Sequence, residues 1–140
     1  ISGSALTAQR LRMDIIAENI ANVETTRTED GGPYRRKRVI MEPRNPDFAE
    51  TLQQRISGDP KASVTGGVRV TGIVEDQSDF KLKYDPTHPD ADENGYVQMP
   101  NVDLTLEMVD MISAYRSYQA NVTAFNAYKD MAVRALEIGK

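Results

Sequence analysis

Residues 111–128 read MISAYRSYQANVTAFNAY, and Arg116 is the only charged side chain in the stretch. No Pro or Gly interrupts it. From Asp103 onward, apolar positions recur with the 4-3-4-3 spacing of a helix. They are Leu104, Met108, Met111, Tyr115, Tyr118, Val122, Phe125, Ala132 and Leu136, with Lys129 the one break in the series. Asn101 or Asp103 suits the N-cap, Glu107 and Asp110 suit the early turns, and Gly139 suits the close. A helix of about 36 residues spans about 54 Å.

The sparse charge decides how that helix is used. A two-stranded coiled coil places Glu and Lys beside its seam. Here Gln119, Asn121 and Asn126 flank the seam, and Ala114, Ala120, Ala124 and Ala127 line the rest. A helix this weakly charged all round is expected to be contacted on more than one side.

Its partner within the chain is the other Pro-free end. Residues 4–23 place Leu6, Met13, Ile16, Ile20 and Val23 in a 7-3-4-3 rhythm, with Gln9 at the missing seam position. Asn22 is the expected terminator, since Asn tolerates the left-handed conformation. That helix is about 30 Å long and cannot cover about 54 Å. The remainder is expected to pack against other subunits.

Between the ends the chain changes character. All seven Pro lie between Pro33 and Pro100, and seven of the nine Gly between Gly31 and Gly95. This excludes long helices there. YRRKRVIME (34–42), GVRVTGIVED (67–76), FKLKY (80–84) and the weaker YVQM (96–99) alternate like strands. Phe48, Leu52 and Ile56, after a capping box at 47–50, predict a short helix near 47–57. The fold class is therefore α+β: two long terminal helices packed as an antiparallel coiled coil, with a small β-rich insert at one end. The boundaries fall at 1–24, 25–100 and 101–140.

Composition narrows the function. Leu, Ile, Val and Phe make up 30 of 140 residues, which is little for a large monomeric core and favours burial against neighbours. The net charge of −4 gives no basic excess for nucleic acid. Cys is absent, which excludes disulfides and thiolate chemistry. No apolar run reaches membrane-helix length. The chain starts at Ile1 rather than Met, which implies residues upstream.

Four motifs invite a chemical reading. DADENG (90–95) is the first half of a calcium loop, but position 12 is Asn101 where a bidentate Glu is needed. It reads as a turn. His88 is the only His and stands in a polar loop between prolines. RRKR (35–38) alternates across a strand, so no face collects all four charges, and it reads as a protected edge. Gly66-Gly67 lacks the Lys-Ser/Thr of a phosphate loop. No catalytic constellation, metal site or cofactor is read from these residues.

Two long blocks carry a resemblance. SGSALTAQRLRMDIIAENIANVETTRTEDGGPYRRK (2–37) is similar to the N-terminal region of the bacterial flagellar rod and hook family. HPDADENGYVQMPNVDLTLEMVDMISAYRSYQANV (88–122) closely resembles one proximal-rod member. The family pattern falls on Ala17, Asn19, Ile20, Ala21, Asn22 and Thr25, and the PNVD on Pro100, Asn101, Val102 and Asp103. Glu18 stands where many members have Asn, and Thr25-Thr26-Arg27 replaces the T-x-G of distal-rod and hook members.

The resemblance implies a non-enzymatic subunit of the flagellar axle, with its terminal helices forming an inner tube that transmits torque and encloses the export channel. It implies export by the flagellar type III apparatus and a place in the periplasmic rod. Expected partners are copies of itself, proximal and distal rod subunits, and adaptor and export-gate components at the membrane ring, with no nucleic acid and no small-molecule substrate. Seam residues are Leu6, Met13, Ile16, Ile20, Leu104, Met108, Met111, Tyr115, Tyr118, Val122 and Phe125. Subunit-interface candidates are Asn19, Asn22, Arg116, Gln119, Asn121 and Asn126. The alternatives are another axial subunit of the family, a small calcium-binding regulator using Asp90, Asp92 and Asn94, and a nucleic-acid binder using residues 35–38.

Overall fold

Helices occupy the two Pro-free ends, and strands occupy the region between them. The computed structural model describes residues 2–44, 52–53, 56–58 and 67–139. Its elements are α1 (Ser2–Ala21), β1 (Lys37–Pro43), β2 (Val68–Glu75), β3 (Lys81–Tyr84), β4 (Tyr96–Met99) and α2 (Leu104–Ile138). The class is α+β. Of the short helix expected near 47–57, Leu52, Gln53, Ile56 and Ser57 are helical, and the rest lies outside the described residues.

Each helix end has a chemical cause. Asp103 is extended (φ −98°, ψ 110°), and its carboxylate accepts from the N–H groups of Thr105 and Leu106 at 3.0 and 3.3 Å. Asn101, the other capping candidate, is used elsewhere. α1 stops at Asn22, but not by a left-handed turn: no described residue other than Gly has positive φ. Instead the backbone N–H and the side-chain amide of Asn22 both donate to the Glu18 carbonyl, at 3.1 and 2.8 Å. Gly139 is also right-handed (φ −76°), and its N–H continues the helical pattern to Ala135 at 3.1 Å.

β1 and β2 form an antiparallel ribbon with Lys37 opposite Glu75 and Pro43 opposite Val68. The register shifts between Ile40 and Met41, which leaves Thr71 without an opposite residue. Half-buried Val68, Val70, Gly72 and Val74 alternate with exposed Arg69, Thr71, Ile73 and Glu75, so the ribbon has one covered face. α1 supplies the cover. Ser4 near its start accepts from the Val68 N–H at 3.3 Å, and Asn19 near its end donates to the Lys37 carbonyl at 2.7 Å. The ribbon therefore lies along α1, whereas the sequence suggested a β insert at one end.

β3 and β4 pair antiparallel in the chain just before α2, with Tyr84 opposite Tyr96 and their rings edge to face at 5.3 Å. The DADENG stretch is the turn between them. Asp92 accepts from the N–H groups of Asn94 and Tyr96 at 2.9 Å each, and Gly95 takes φ +84°. Asp90 accepts from the Thr26 hydroxyl at 2.7 Å and pairs with Arg27. Those bonds hold the Asp90 carboxyl below its ordinary pKa, with the Thr26 hydroxyl the main cause and Arg27 adding to it. Among the described residues there is no group of three or more His, Cys, Asp or Glu side chains able to hold a metal ion.

α2 packs on the other side of α1. Among the described elements it contacts α1 alone. The end of α1, at Asn19, meets the start of α2, at Glu107. Burial then runs back along α1 through Ile16, Ile15 and Ala8, and forward along α2 through Met111, Ala114, Tyr118 and Val122. The two helices thus run in opposite directions over their shared length. α1 is enclosed by ribbon and helix, and its exposed line is Thr7, Arg10, Asp14, Ala17 and Ala21. Beyond Val122 every described residue of α2 is exposed, an overhang of roughly 24 Å.

Candidate functional site

Two features stand out: a buried polar junction where α1, the segment entering β1 and the start of α2 meet, and the uncovered surface of α2. The junction is built around Asn19, which is 1% exposed. Its Oδ1 accepts from the Tyr34 hydroxyl at 2.7 Å and the Lys37 N–H at 2.9 Å. Its Nδ2 donates to the Lys37 carbonyl at 2.7 Å and to Glu107 Oε2 at 3.3 Å. An amide offers two donors and two acceptor sites, and all four are used. Asn19, expected at a subunit interface, instead spends its side chain inside the chain.

Glu107 is also 1% exposed and pairs with the Arg36 guanidinium through Oε1. Arg36 further lies 3.6 Å from both Asp76 and Asp110. Its hydrogen bond to Glu107 raises the Arg36 pKa, so the guanidinium stays charged. Asn101 closes the ring: its Oδ1 accepts from the Arg36 N–H at 2.7 Å, and its Nδ2 donates to the Asp76 carbonyl at 2.9 Å. Burial pushes the Tyr34 hydroxyl well above its ordinary pKa, and Glu18, Glu107 and Glu75 nearby add to the shift.

The RRKR run is consumed locally. Arg35 stacks 4.2 Å from the Phe80 ring centre and donates to the Asp76 carbonyl at 3.1 Å. Lys37 pairs with Glu18 at 2.8 Å. Arg38, on β1, is exposed. Only Lys37 and Arg38 belong to the strand, so the charges disperse by ending in different bonds more than by strand alternation.

In PNVD, Pro100, Asn101 and Val102 are buried and Asp103 caps α2. Thr25 donates its hydroxyl to Asn22 Oδ1 at 3.1 Å. Ala17 and Ala21 face outward on α1.

The side of α2 that meets α1 carries buried Glu107 and Ala114 with half-buried Asp110, Met111, Ser117, Tyr118, Asn121 and Val122. On α1, Ile16 is buried, and Leu6, Met13 and Ile20 are half-buried. Leu104, Met108, Tyr115 and Phe125, expected in the seam between the helices, are exposed. The reason is helical phase. Met108 and Tyr115 sit roughly a quarter turn from Glu107, while Phe125 shares its azimuth but lies past the end of α1. Arg116, Gln119 and Asn126 are exposed, and Gln119 donates to the Tyr115 hydroxyl at 3.0 Å.

The uncovered surface is strongly apolar. Val109 and Ile112 point away from α1 at 57% and 54% exposure, Leu106 on the flank is 61% exposed, and Tyr128, Met131, Leu136 and Ile138 crowd the overhang. No described helix is long and apolar enough to cross a membrane. Monomers rarely leave an apolar surface of this extent open unless something covers it.

Comparisons with known proteins match both terminal regions of the chain. Residues 1–27 match the family described as Flagella basal body rod protein, and residues 93–138 the family described as Flagellar basal body rod FlgEFG protein C-terminal. The chain is 53% identical to the Flagellar basal-body rod protein FlgC of Bacillus subtilis, over 100% of this chain and 95% of that protein. It is 51% identical to the protein of the same name from Borreliella burgdorferi, over 99% and 93%. For that of Escherichia coli the figures are 44%, 100% and 94%.

Proposed function

The chain belongs to the FlgC family of flagellar basal-body rod proteins, and we propose that this structural rod subunit sits in the proximal rod and builds it through its terminal helices. The supporting observation is the outer face and overhang of α2. Fully burying one large apolar side chain contributes about 1.5–3 kcal/mol, while association costs roughly 4–15 kcal/mol. Several such side chains must be covered together to hold a neighbour. The line through Glu107 and Ala114 continues past α1 into Phe125, Ala132 and Leu136. A neighbouring helix lying end to end with α1 would extend the same groove.

In this reading residues 1–24 and 101–140 form the tube wall as a coiled coil, and residues 25–100 decorate it. Copies of this chain, proximal and distal rod subunits, and adaptor and export-gate components at the membrane ring are its partners. The location is the periplasmic rod, reached through the flagellar type III apparatus, and the role is mechanical with no reaction catalysed. Leu104, Met108, Tyr115 and Phe125 then face other subunits, together with Arg116, Gln119 and Asn126. Electron microscopy of basal bodies from a strain lacking the gene tests this. The ring without a rod beyond its first subunits is expected, and complete rods would contradict it.

A further inference from the structure

We propose that the Arg36–Glu107 pair, with Asn19, is a register-setting device: it selects one axial position of α1 against α2 and so fixes the angle at which the β ribbon meets the assembling face of α2. The inference rests on the assembly reading above and deepens it. Apart from this junction, the buried residues of the two facing sides are small or aliphatic, Ala8, Ile15, Ile16 and Ala114, while Asp110, Ser117, Tyr118 and Asn121 on α2 are only half-buried. Such a groove tolerates sliding by a turn, because one aliphatic side chain can replace another. The junction does not. Slipped one way, α1 offers Ile15 or Ile16 where Asn19 stands, and neither can donate to Glu107 or accept from Tyr34. Slipped the other way it offers Val23 or Asn22, whose amide already bonds the Glu18 carbonyl and Thr25. A buried charge pair that loses a hydrogen bond penalises the slipped state more than it favours the native one.

The geometry ties this choice to three elements at once. Asn19 lies on α1, its Lys37 partner opens β1, and Glu107 stands in the first turn of α2. Arg36 approaches Glu107 from the segment leading into β1, and its own N–H is held by Asn101 just before the α2 cap. Moving α1 therefore breaks bonds to ribbon and helix together. These three are positioning residues, since none of them needs to touch a neighbouring subunit.

The test is the double replacement Arg36→Met/Glu107→Leu, which removes both charges and leaves Asn19 bonded to Lys37 and Tyr34. Spin labels go on Asp14→Cys and Thr123→Cys, both exposed positions in a chain without other Cys. The parent chain is expected to give one narrow inter-label distance. The double variant is expected to keep its helical circular dichroism while the distance splits or broadens by about one helical turn, roughly 5 Å. The milder Glu107→Gln, whose single oxygen cannot accept from Asn19 and Arg36 in the places of the two carboxylate oxygens, is expected to broaden the distance less than the double variant. A folded double variant with one unchanged distance overturns the proposal. So does its loss of fold, which makes the junction a support for stability and not a selector. The readout is on the free chain, so it stands apart from failure of the rod reading, which would appear as rods built normally despite a charged outer face.

Discussion

The side-chain amide of Asn19 donates to the carboxylate of Glu107 at 3.3 Å, joining residues 88 positions apart. The bond lies where α1, the entry to β1 and the first turn of α2 converge. It turns two amphipathic elements and a ribbon into one arrangement, and its polar character makes that arrangement sensitive to single atoms.

The two ends of the Arg36–Glu107 pair differ in burial, so removing them differs in cost. Arg36→Ala leaves the Glu107 carboxylate buried with only the Asn19 amide beside it, and is expected to cost about 3–5 kcal/mol. Glu107→Ala leaves Arg36 within 3.6 Å of Asp76 and Asp110 and partly solvated, and is expected to cost about 1–2 kcal/mol. Urea unfolding of the two variants checks the order. Equal losses would mean that Glu107 is not sealed from water.

Tyr34 makes the fold sensitive to alkali. Its hydroxyl titrates near the ordinary value of 10.0 when unfolded and well above it when folded. Above that ordinary value the unfolded chain releases a proton that the folded chain keeps, so stability falls as pH rises, and below it the contribution is complete. Tyr34→Phe is expected to flatten this slope above pH about 10 and to leave it unchanged below pH about 9. At neutral pH the same variant costs about 1 kcal/mol, because Asn19 loses a donor. An unchanged slope in the variant would assign the alkaline loss to other groups.

Gly95 is required at the β3–β4 turn for two reasons. Its φ is +84°, and a Cβ there would stand 2.9 Å from the Tyr84 ring and 3.1 Å from Pro86 Cβ. Gly95→Ala is expected to lose about 2–3 kcal/mol, from left-handed strain plus the clash. Amide exchange at Tyr96 and Val97 would locate the loss in this hairpin. Exchange that speeds up uniformly over the whole chain would contradict a local cause.

Much of the fold was legible because its signals are local. Pro and Gly mark the middle, Asp103 marks the start of α2, and Tyr96–Met99 alternates as a strand. The phase of α2 was not legible. The helix carries so little charge that several of its faces are apolar, and heptad spacing selects the larger side chains of Leu104, Met108 and Tyr115. α1, itself enclosed, instead takes the face with Ala114, whose small side chain permits close approach, and with Glu107, whose charge is matched by Arg36. Glu107 read as a first-turn residue answering the helix dipole, and Arg36 as part of a basic run. Their meeting depends on positions 19, 34, 36, 101 and 107 converging in space, which no local spacing announces.

The central claim, that the outer face of α2 is where subunits join, is tested most directly by Val109→Asp and Ile112→Asp. Both side chains are more than half exposed and point away from α1, so the free chain should unfold within about 0.5 kcal/mol of the parent. Basal bodies from strains carrying either variant are expected to stop at the membrane ring with no extended rod, and the cells to be non-motile. Full-length rods and normal swimming from a folded variant would contradict the claim.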